Sequence, residues 1–554
     1  MISNSYGYFG NEPMSWGSLP ACNDISFDVE STGLSIVKDR AIGISANHNT
    51  KSAFWIPVDH PVLEVLGPHL TIGHNLKYDI AMLKKEGIDV NEHVIDTLIA
   101  AHLLGEVELS LPILAASDLG VRLVTYPELK KSFSEMTFDE MAQFSGAHSI
   151  ASRLLWEKYE PRLRNFGLLK LFHNIEMPFV PVISEMESNG VMVDPDILDK
   201  LGVEFDAKMS AIKAYLDELT GNPGINYNSH EQLARLLYQT LGLPAPRKKG
   251  KKGFPTTEAK YVEALADKSP VVKHILEYKG YGKLKSTYVS SLKEKLIDGR
   301  IYGSFNQAGT RTGRLSSSGP NLQNIPQRKP EGRRIRTAFV APPGYSLVRA
   351  DYDQLELRMM AHCAQDLTMI KAFNDGRDIH LETALRVFKS EKRRPEGKTL
   401  NFQIIYGGGQ ESLRRKFFEA YPQIARWTRQ MTNIALEDKY ARTIHGRIRV
   451  IPELDSDMQW ERNHGVREFI STIVQGSSAE VVKIGMVRAF KALKDSPVKI
   501  ILQVHDEAVY EVPDKDVVDV LHILSETMPY KELSVPMPVS LEVGKSWGEM
   551  QEVK

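Results

Sequence analysis

Two stretches of the 554-residue chain put acidic side chains at the ends of apolar runs, as a metal-assisted reaction requires. In SLVRADYDQLELR the run Ser346–Ala350 reads as a strand ending at Asp351, and an amphipathic helix begins near Gln354. In VKIILQVHDEAVYEV, residues 498–512, two strands meet at a polar turn containing Asp506 and Glu507. Acidic residues are ordinary turn formers, so neither segment alone indicates a metal. Together they suit one chemistry. Phosphoryl transfer is accelerated by two Mg²⁺ ions roughly 3.5–4 Å apart, held by carboxylates from separate strands. Asp351 and Asp506 are candidates for that pair.

A second pattern suits the anionic substrate of such a reaction. In RRPEGKTLNFQIIYGGG, Arg394, Lys398, Phe402 and Tyr406 recur every fourth residue and share one helical stripe, drifting about 40° per step. A helix N-terminus flanked by Lys and Arg attracts phosphates through its unpaired N–H groups and dipole, and aromatics farther along can pack on a sugar and a base. An amphipathic helix with charged ends and a core-facing Phe and Tyr has the same pattern, so the stripe alone leaves both readings open. Pro395 suits the first helical turn but biases Arg394 toward an extended backbone, which predicts Arg394 just before the helix. Gly407, Gly408 and Gly409 end the pattern and are expected to form a hinge.

A third cluster lies near the amino terminus. In ISFDVE, Ile25, Phe27 and Val29 fall on one face of a strand and Ser26, Asp28 and Glu30 on the other, so two acids project the same way. IGHNLKYD sets Asn75 and Asp79 one helical turn apart at a strand-to-helix junction. A D-x-E in a strand is weak evidence by itself.

The elements that must carry these groups follow from the rest of the chain. Lys and Arg total 69 against 70 Asp and Glu, a net charge of -1, so attraction to an anionic partner must be local. At 42% hydrophobic and 25% charged residues the composition is that of a globular protein, and it excludes disordered, collagenous and membrane-spanning chains. Two cysteines, Cys22 and Cys363, exclude a disulfide framework and a cysteine zinc site. They also suit a reducing compartment, and the N-terminus lacks a signal or transit peptide, so the cytoplasm is expected. Residues 21–160 alternate short strands with helical patterns, an α/β arrangement. From about 165 to 300 the pattern is helical, interrupted by LPAPRKKGKKGFPTT, whose Arg247, Lys248, Lys249, Lys251 and Lys252 predict a mobile basic tip. A solvated loop with no partner fits that tip equally well. Residues 301–365 return to strands and 366–460 are largely helical.

These segments together resemble the family A DNA polymerases. DYDQLELR is similar to the family's motif A, Arg394 to Gly407 to motif B and QVHDE to motif C, in the family's order. TGRLSSSGPNLQNIP, IEMPFVPVISEMESNGVMVD and REFISTIVQGSSAE also resemble family segments. The implied fold is multidomain, α/β and α+β: an RNase H-like exonuclease domain followed by a right-hand polymerase. The implied division is a leader at 1–20, the exonuclease-like domain at 21–165, a thumb at 166–300, a palm at 301–365 and 461–554, and fingers at 366–460. The resemblance implies that Asp351 and Asp506 bind two Mg²⁺ ions, with Mn²⁺ as a substitute, helped by the backbone at Tyr352, and that Glu507 lies beside them. It implies that His380, Arg394 and Lys398 contact a deoxynucleoside triphosphate near Gln354, with Lys398 protonating the departing pyrophosphate. Phe402 would pack on the incoming sugar, and Tyr406 near the templating base. Arg314, Asn321, Gln323, Arg467, Gln475 and His505 would line the primer-template, and the basic tip with Lys248 and Lys249 is assigned to DNA as well. Glu356, paired with Tyr406, would occupy the place of a ribose 2′-hydroxyl, which makes the product DNA. Phe402 in place of tyrosine predicts poor acceptance of dideoxynucleotides, and Ser471 stands where many members carry asparagine.

The amino-terminal cluster resembles the DEDD 3′–5′ proofreading exonucleases, with Asp28 and Glu30 in the first motif and Asp79 in the second. The third motif departs from the pattern, because FSGAHSIASRLLW sets Phe144 at the family's tyrosine and His148 at its aspartate. Three readings stay open: natural loss of editing, altered metal preference, or deliberate inactivation. The expectation is a domain retained structurally with sharply reduced hydrolysis. Overall, the resemblance implies a monomeric, phage-type replicative enzyme without a 5′-nuclease domain, acting in a host cytoplasm with helicase, primase or other replisome partners and no membrane. The rivals are an active exonuclease to which the remaining chain merely presents DNA, and a noncatalytic DNA-binding scaffold.

Overall fold

The computed structural model describes residues 24–50, 52–59, 69–90, 93–250, 253–327 and 329–553. The 1–20 leader, Cys22, Lys251 and Lys252 lie outside them. Among the described residues no helix is long and apolar enough to cross a membrane.

The amino-terminal part is built on five strands, β1 (Asp24–Ser31), β2 (Ala41–Asn47), β3 (Phe54–Pro57), β4 (Leu70–Gly73) and β5 (Val94–Asp96), in the order β3-β2-β1-β4-β5. β1 runs antiparallel to β2 and parallel to β4. As the alternation in ISFDVE requires, Ile25, Phe27 and Val29 enter a core with Ile44, Ile72 and Leu76. The other face of β1 is covered too, by the 28-residue helix Phe138–Asn165. Small residues permit that approach: Ser26 donates to the Ser149 carbonyl at 2.7 Å, and Ser45 to the Ser145 carbonyl at 2.8 Å. The polar face of β1 therefore looks into a crevice rather than solvent, and the helix above it carries Phe144 and His148.

The helices Pro195–Thr220 and Pro270–Lys283 pack side by side as an arm with its own small core around Leu216, Tyr227, Leu237 and Ile275. Asp194 caps the first of them by accepting from the Asp196 amide at 2.8 Å. Among the described residues of the basic tip, Lys249 forms a backbone bridge with Pro255 and Lys248 is paired with Glu258 at 2.6 Å. The expected acid-free tip thus acquires a counter-charge from one residue beyond the basic stretch.

The carboxy-terminal half centres on an antiparallel sheet in the order Lys499–Val504, Glu507–Pro513, Tyr345–Tyr352, Val539–Gly544, Gln551–Glu552. The central strand runs one residue past the expected end at Asp351, so Asp351 is its penultimate residue. The 34-residue helix Gln459–Ala492 packs beside the sheet with most of its middle buried. Gly485 permits that contact, because a Cβ there would lie 2.0 Å from the Tyr352 hydroxyl. The helices between 355 and 438 complete the same core. Lys77, on helix α1 (Leu76–Lys85), joins the two halves by pairing with Glu187 at 2.6 Å and donating to the Phe305 carbonyl at 2.9 Å.

Candidate functional site

Asp351 and Asp506 come together on neighbouring strands. Asp351 is in register with Glu507, and the Tyr352 amide donates to the Asp506 carbonyl at 3.2 Å. The Asp506 side chain is delivered by a two-residue turn whose first residue, His505, takes a positive φ of 56°. Burial, and then Asp506, pushes the Asp351 carboxyl up to about 7, and burial pushes Asp506 up to about 6. Neither acid has an ion-pair partner among the described residues. Glu507 differs from expectation. It is the first residue of its strand and buried, rather than part of the turn with Asp506, and it sits 3.5 Å from Arg336 and 3.4 Å from Arg349. A side chain leaving an antiparallel pair beside two arginines cannot project freely, so Glu507 has its counter-charge and the two aspartates do not. Gln354, at the N-cap of the next helix with φ 52°, contributes a buried Oε1 atom with no protein partner. Two half-buried carboxyls on neighbouring strands, with no ion-pair partner among the described residues, are oxygen donors of the kind that suit hard divalent cations.

Glu356 is buried in the first turn of the helix Leu355–Ala364. It accepts from the Tyr406 hydroxyl at 3.0 Å and is ion-paired with Arg314. The expected Glu356–Tyr406 pair is present, while Arg314, assigned to the primer-template, is engaged with Glu356.

The cationic helix spans Arg394–Ile405. Arg394 is inside it, at φ -52° and ψ -42°, although Pro395 follows. A short helical turn, Glu391–Arg393, leads into it, and an ion pair with Asp378 anchors the guanidinium. Tyr406 ends the helix as its C-cap, so the stripe is three helical residues plus a cap. Lys398 is exposed with no carboxylate partner among the described residues. His380 lies beside these cations but is buried. Burial pushes its ring down to about 4, so it is neutral at pH 7. Asn401 Nδ2 lies 2.9 Å from His380 Nδ1, while Asn401 Oδ1 accepts from Thr383 at 2.9 Å. With that amide orientation the histidine proton is on Nε2, which makes His380 a neutral donor rather than a cation. Phe402 packs 5.9 Å from the His380 ring.

Other expected contacts are dispersed around this centre. Gln323 donates to Gln503 at 2.8 Å, and Asn321 accepts the Gln323 amide at 3.1 Å as a cap. Arg467 is exposed on the long helix, with its stem against Gly407, and Gln475 is half-buried two turns on. Lys248 and Lys249 stay on the tip of the arm, apart from the sheet.

In the amino-terminal crevice Asp28, Glu30 and His148 offer ligand atoms that all lie within 4.8 Å of one another. Burial, and then Asp28, pushes Glu30 up to about 9, and buried Asp79 is raised for the same two reasons. Phe144 sets its ring edge against His148 at 4.7 Å. Asn75 is the N-cap of α1 at φ 64°, without a side-chain cap bond. Its conformation is held by Asp96, whose carboxylate accepts from the Asn75, Leu76 and Leu98 amides at 2.9 Å each. Sequence reasoning missed Asp96 as a positioning residue, although an aspartate between an apolar strand and a helix is a cap signal. It also missed Asn401, Arg336 and Arg349, for which only tertiary contacts speak.

Residues 195–549 match the family described as DNA polymerase family A, and residues 16–147 a 3′–5′ exonuclease family. DNA polymerase I of Chloroflexus aurantiacus is 34% identical over 582 residues, covering 95% of this chain and 61% of that protein. DNA polymerase I of Bacillus subtilis is 33% identical, covering 94% of this chain and 63% of that protein. The chain therefore spans about three-fifths of the length of these relatives. The solved POL domain of Pol1 from M. smegmatis, in complex with DNA primer-template and dNTP, aligns with a TM-score of 0.86 at 29% identity, covering 95% of this chain and 96% of that one. These relatives are bacterial, so the phage-type expectation finds no support in them.

Proposed function

Because the chain belongs to DNA polymerase family A, we propose that it catalyses template-directed DNA synthesis, transferring deoxynucleotides from dNTPs to a primer 3′-hydroxyl. The observation that carries this reading is the pair of half-buried acids, Asp351 and Asp506, without an ion-pair partner among the described residues, while Glu356 and Glu507 beside them are each paired with arginine. In this reading Asp351, Asp506 and the Tyr352 backbone would hold Mg²⁺, or Mn²⁺ in its place, which would supply activation of the 3′-hydroxyl and neutralisation of charge on the triphosphate. Arg394 and Lys398 bind the triphosphate, and Nε2–H of His380 donates to it. Lys398 Nζ supplies the proton for the departing pyrophosphate. Phe402 packs on the sugar. Glu356, held by Tyr406 and Arg314, fills the place of a 2′-hydroxyl and so selects deoxynucleotides. Arg314, Asn321, Gln323, Arg467, Gln475 and His505 are assigned to the primer-template, where minor-groove acceptors common to all base pairs allow contact without sequence preference. We assign the thumb to 166–300, the fingers to 366–460 and the palm to the remainder after 301. Such an activity belongs to DNA replication, where helicase and primase chemistry supplies separated template and primer. A labelled primer-template tests it: extension with Mg²⁺ and dNTPs, but not with ribonucleotides, is expected. A chain that binds the duplex without extending it would be the scaffold instead.

We further propose that the 3′–5′ exonuclease domain is attenuated. Phe144 has no hydroxyl with which to orient an attacking water, and His148 removes one negative charge from the crevice. The double substitution Phe144→Tyr with His148→Asp is expected to raise degradation of a mismatched 3′ end by about tenfold or more in Mg²⁺, the range typical of general acid–base and ligand effects. No gain over the parent would mean that the third motif is not what limits hydrolysis.

A further inference from the structure

We propose that Asp28, Glu30 and Nδ1 of His148 form a site for one divalent transition-metal ion of the Mn²⁺, Co²⁺ or Zn²⁺ class, in preference to Mg²⁺. The proposal deepens the reading of this domain as an exonuclease fold with an altered third motif. Three observations carry it. The ligand atoms of the three residues lie within 4.8 Å of one another, close enough to share one cation. His148 Nε2 lies 3.2 Å from the Val124 carbonyl, an acceptor, so Nε2 carries the ring proton and Nδ1 presents a lone pair. That lone pair faces Asp28 Oδ2 at 3.7 Å, an acceptor facing an acceptor, beyond hydrogen-bond distance. A cation held between the two satisfies both acceptors.

The protein has also fixed the ring as metal sites do. A ligating histidine ordinarily donates its other N–H to a carbonyl or carboxylate, which sets tautomer and orientation, and Val124 supplies that acceptor. Phe144 backs the ring from its other side at 4.7 Å and is itself packed on Phe133 at 5.8 Å. The imidazole therefore has little freedom to swing away. The choice of ion follows from the donors. Mg²⁺ binds oxygen and is held chiefly by charge, so exchanging a carboxylate for a neutral nitrogen weakens it. Imidazole nitrogen instead suits the transition ions.

Full-length chain titrated with MnCl₂ against a background of MgCl₂, and read by pulsed electron paramagnetic resonance, tests the assignment. Besides any Mn²⁺ held at Asp351 and Asp506, the parent is expected to bind one Mn²⁺ that shows ¹⁴N coupling from an imidazole. His148→Asp is expected to lose that coupling and to lower the Mn²⁺ over Mg²⁺ preference about tenfold or more. Asp28→Asn retains the ring and should lose the ¹⁴N-coupled ion alone, with circular dichroism confirming the fold. Absent ¹⁴N coupling in the parent, or coupling that persists in His148→Asp, would overturn the site and leave a protonated His148 as the cation beside Asp28. Because the readout is the bound ion, it can fail while the nuclease-restoration experiment succeeds, and the reverse.

Discussion

Asp351 is held in a state that opposes folding. Its carboxyl ordinarily titrates at 3.8 and is raised to about 7 in the folded chain, chiefly by burial and then by Asp506. Between those two values the folded protein holds a proton that the unfolded chain has released, so stability falls as pH rises through that window. With divalent ions chelated, Asp351→Asn is expected to remove this pH dependence and to stabilise the protein at pH 8 by about 2–3 kcal/mol. Urea denaturation across pH 4–8 measures it, and an unchanged pH slope in the variant would contradict the account. At this scale the sequence was readable where chemistry sits in short segments. Asp351, Asp506, Lys398 and Glu356 each stand in a recognisable run, and the structure brings Glu356 and Tyr406 into hydrogen-bond contact. The environment of Glu507 was not readable, because Arg336 and Arg349 reach it from other segments. For the same reason the sequence could not show that burial keeps His380 neutral while Asn401 sets its proton on Nε2.

The helix Arg394–Ile405 shows how far periodicity carries at the level of one element. Its four-residue repeat was visible, but its boundaries depended on contacts. The preceding turn and the Asp378 ion pair draw Arg394 into the helix against the preference imposed by Pro395. At the other end Tyr406 is released to reach Glu356, and Gly407 takes a φ of 67°. A Cβ at Gly407 would lie 2.6 Å from the Arg467 side chain, so this glycine meets two demands, positive φ and close approach. Gly407→Ala is therefore expected to destabilise by about 1–2 kcal/mol and to lower kcat more than it raises dNTP KM. Chemical denaturation and steady-state extension measure both. Wild-type values would show that the junction is not a constrained hinge. The amino-terminal strand was readable in the same partial way: alternation separated Asp28 and Glu30 from the core, but not the serine-rich helix that buries their face.

Across the whole molecule, the segments are joined by a buried charge cluster that no local pattern signals. Glu176 is ion-paired with Arg447 and lies 2.9 Å from Lys483, with Glu480 3.3 Å from Arg447. All four are at most 2% exposed. Although burial works against its charge, Lys483 and Arg447 hold Glu176 down to about 2. The cluster links the end of the amino-terminal half to the hairpin Tyr440–Val450 and to the long helix that carries Arg467 and Gln475. Glu176→Ala leaves two buried cations without their shared anion and is expected to cost about 3–5 kcal/mol. A loss under about 1 kcal/mol in denaturant titrations would show that water or rearrangement replaces the pair. The order of domains was legible because each motif keeps its place in the chain, whereas the joints between them are made by residues far apart in sequence. The central claim is that Asp351 and Asp506 act as one catalytic pair. It is tested most directly by measuring primer extension and primer-template affinity side by side for Asp506→Ala. The account predicts extension abolished with duplex binding nearly unchanged; extension at a rate near that of the parent would contradict it.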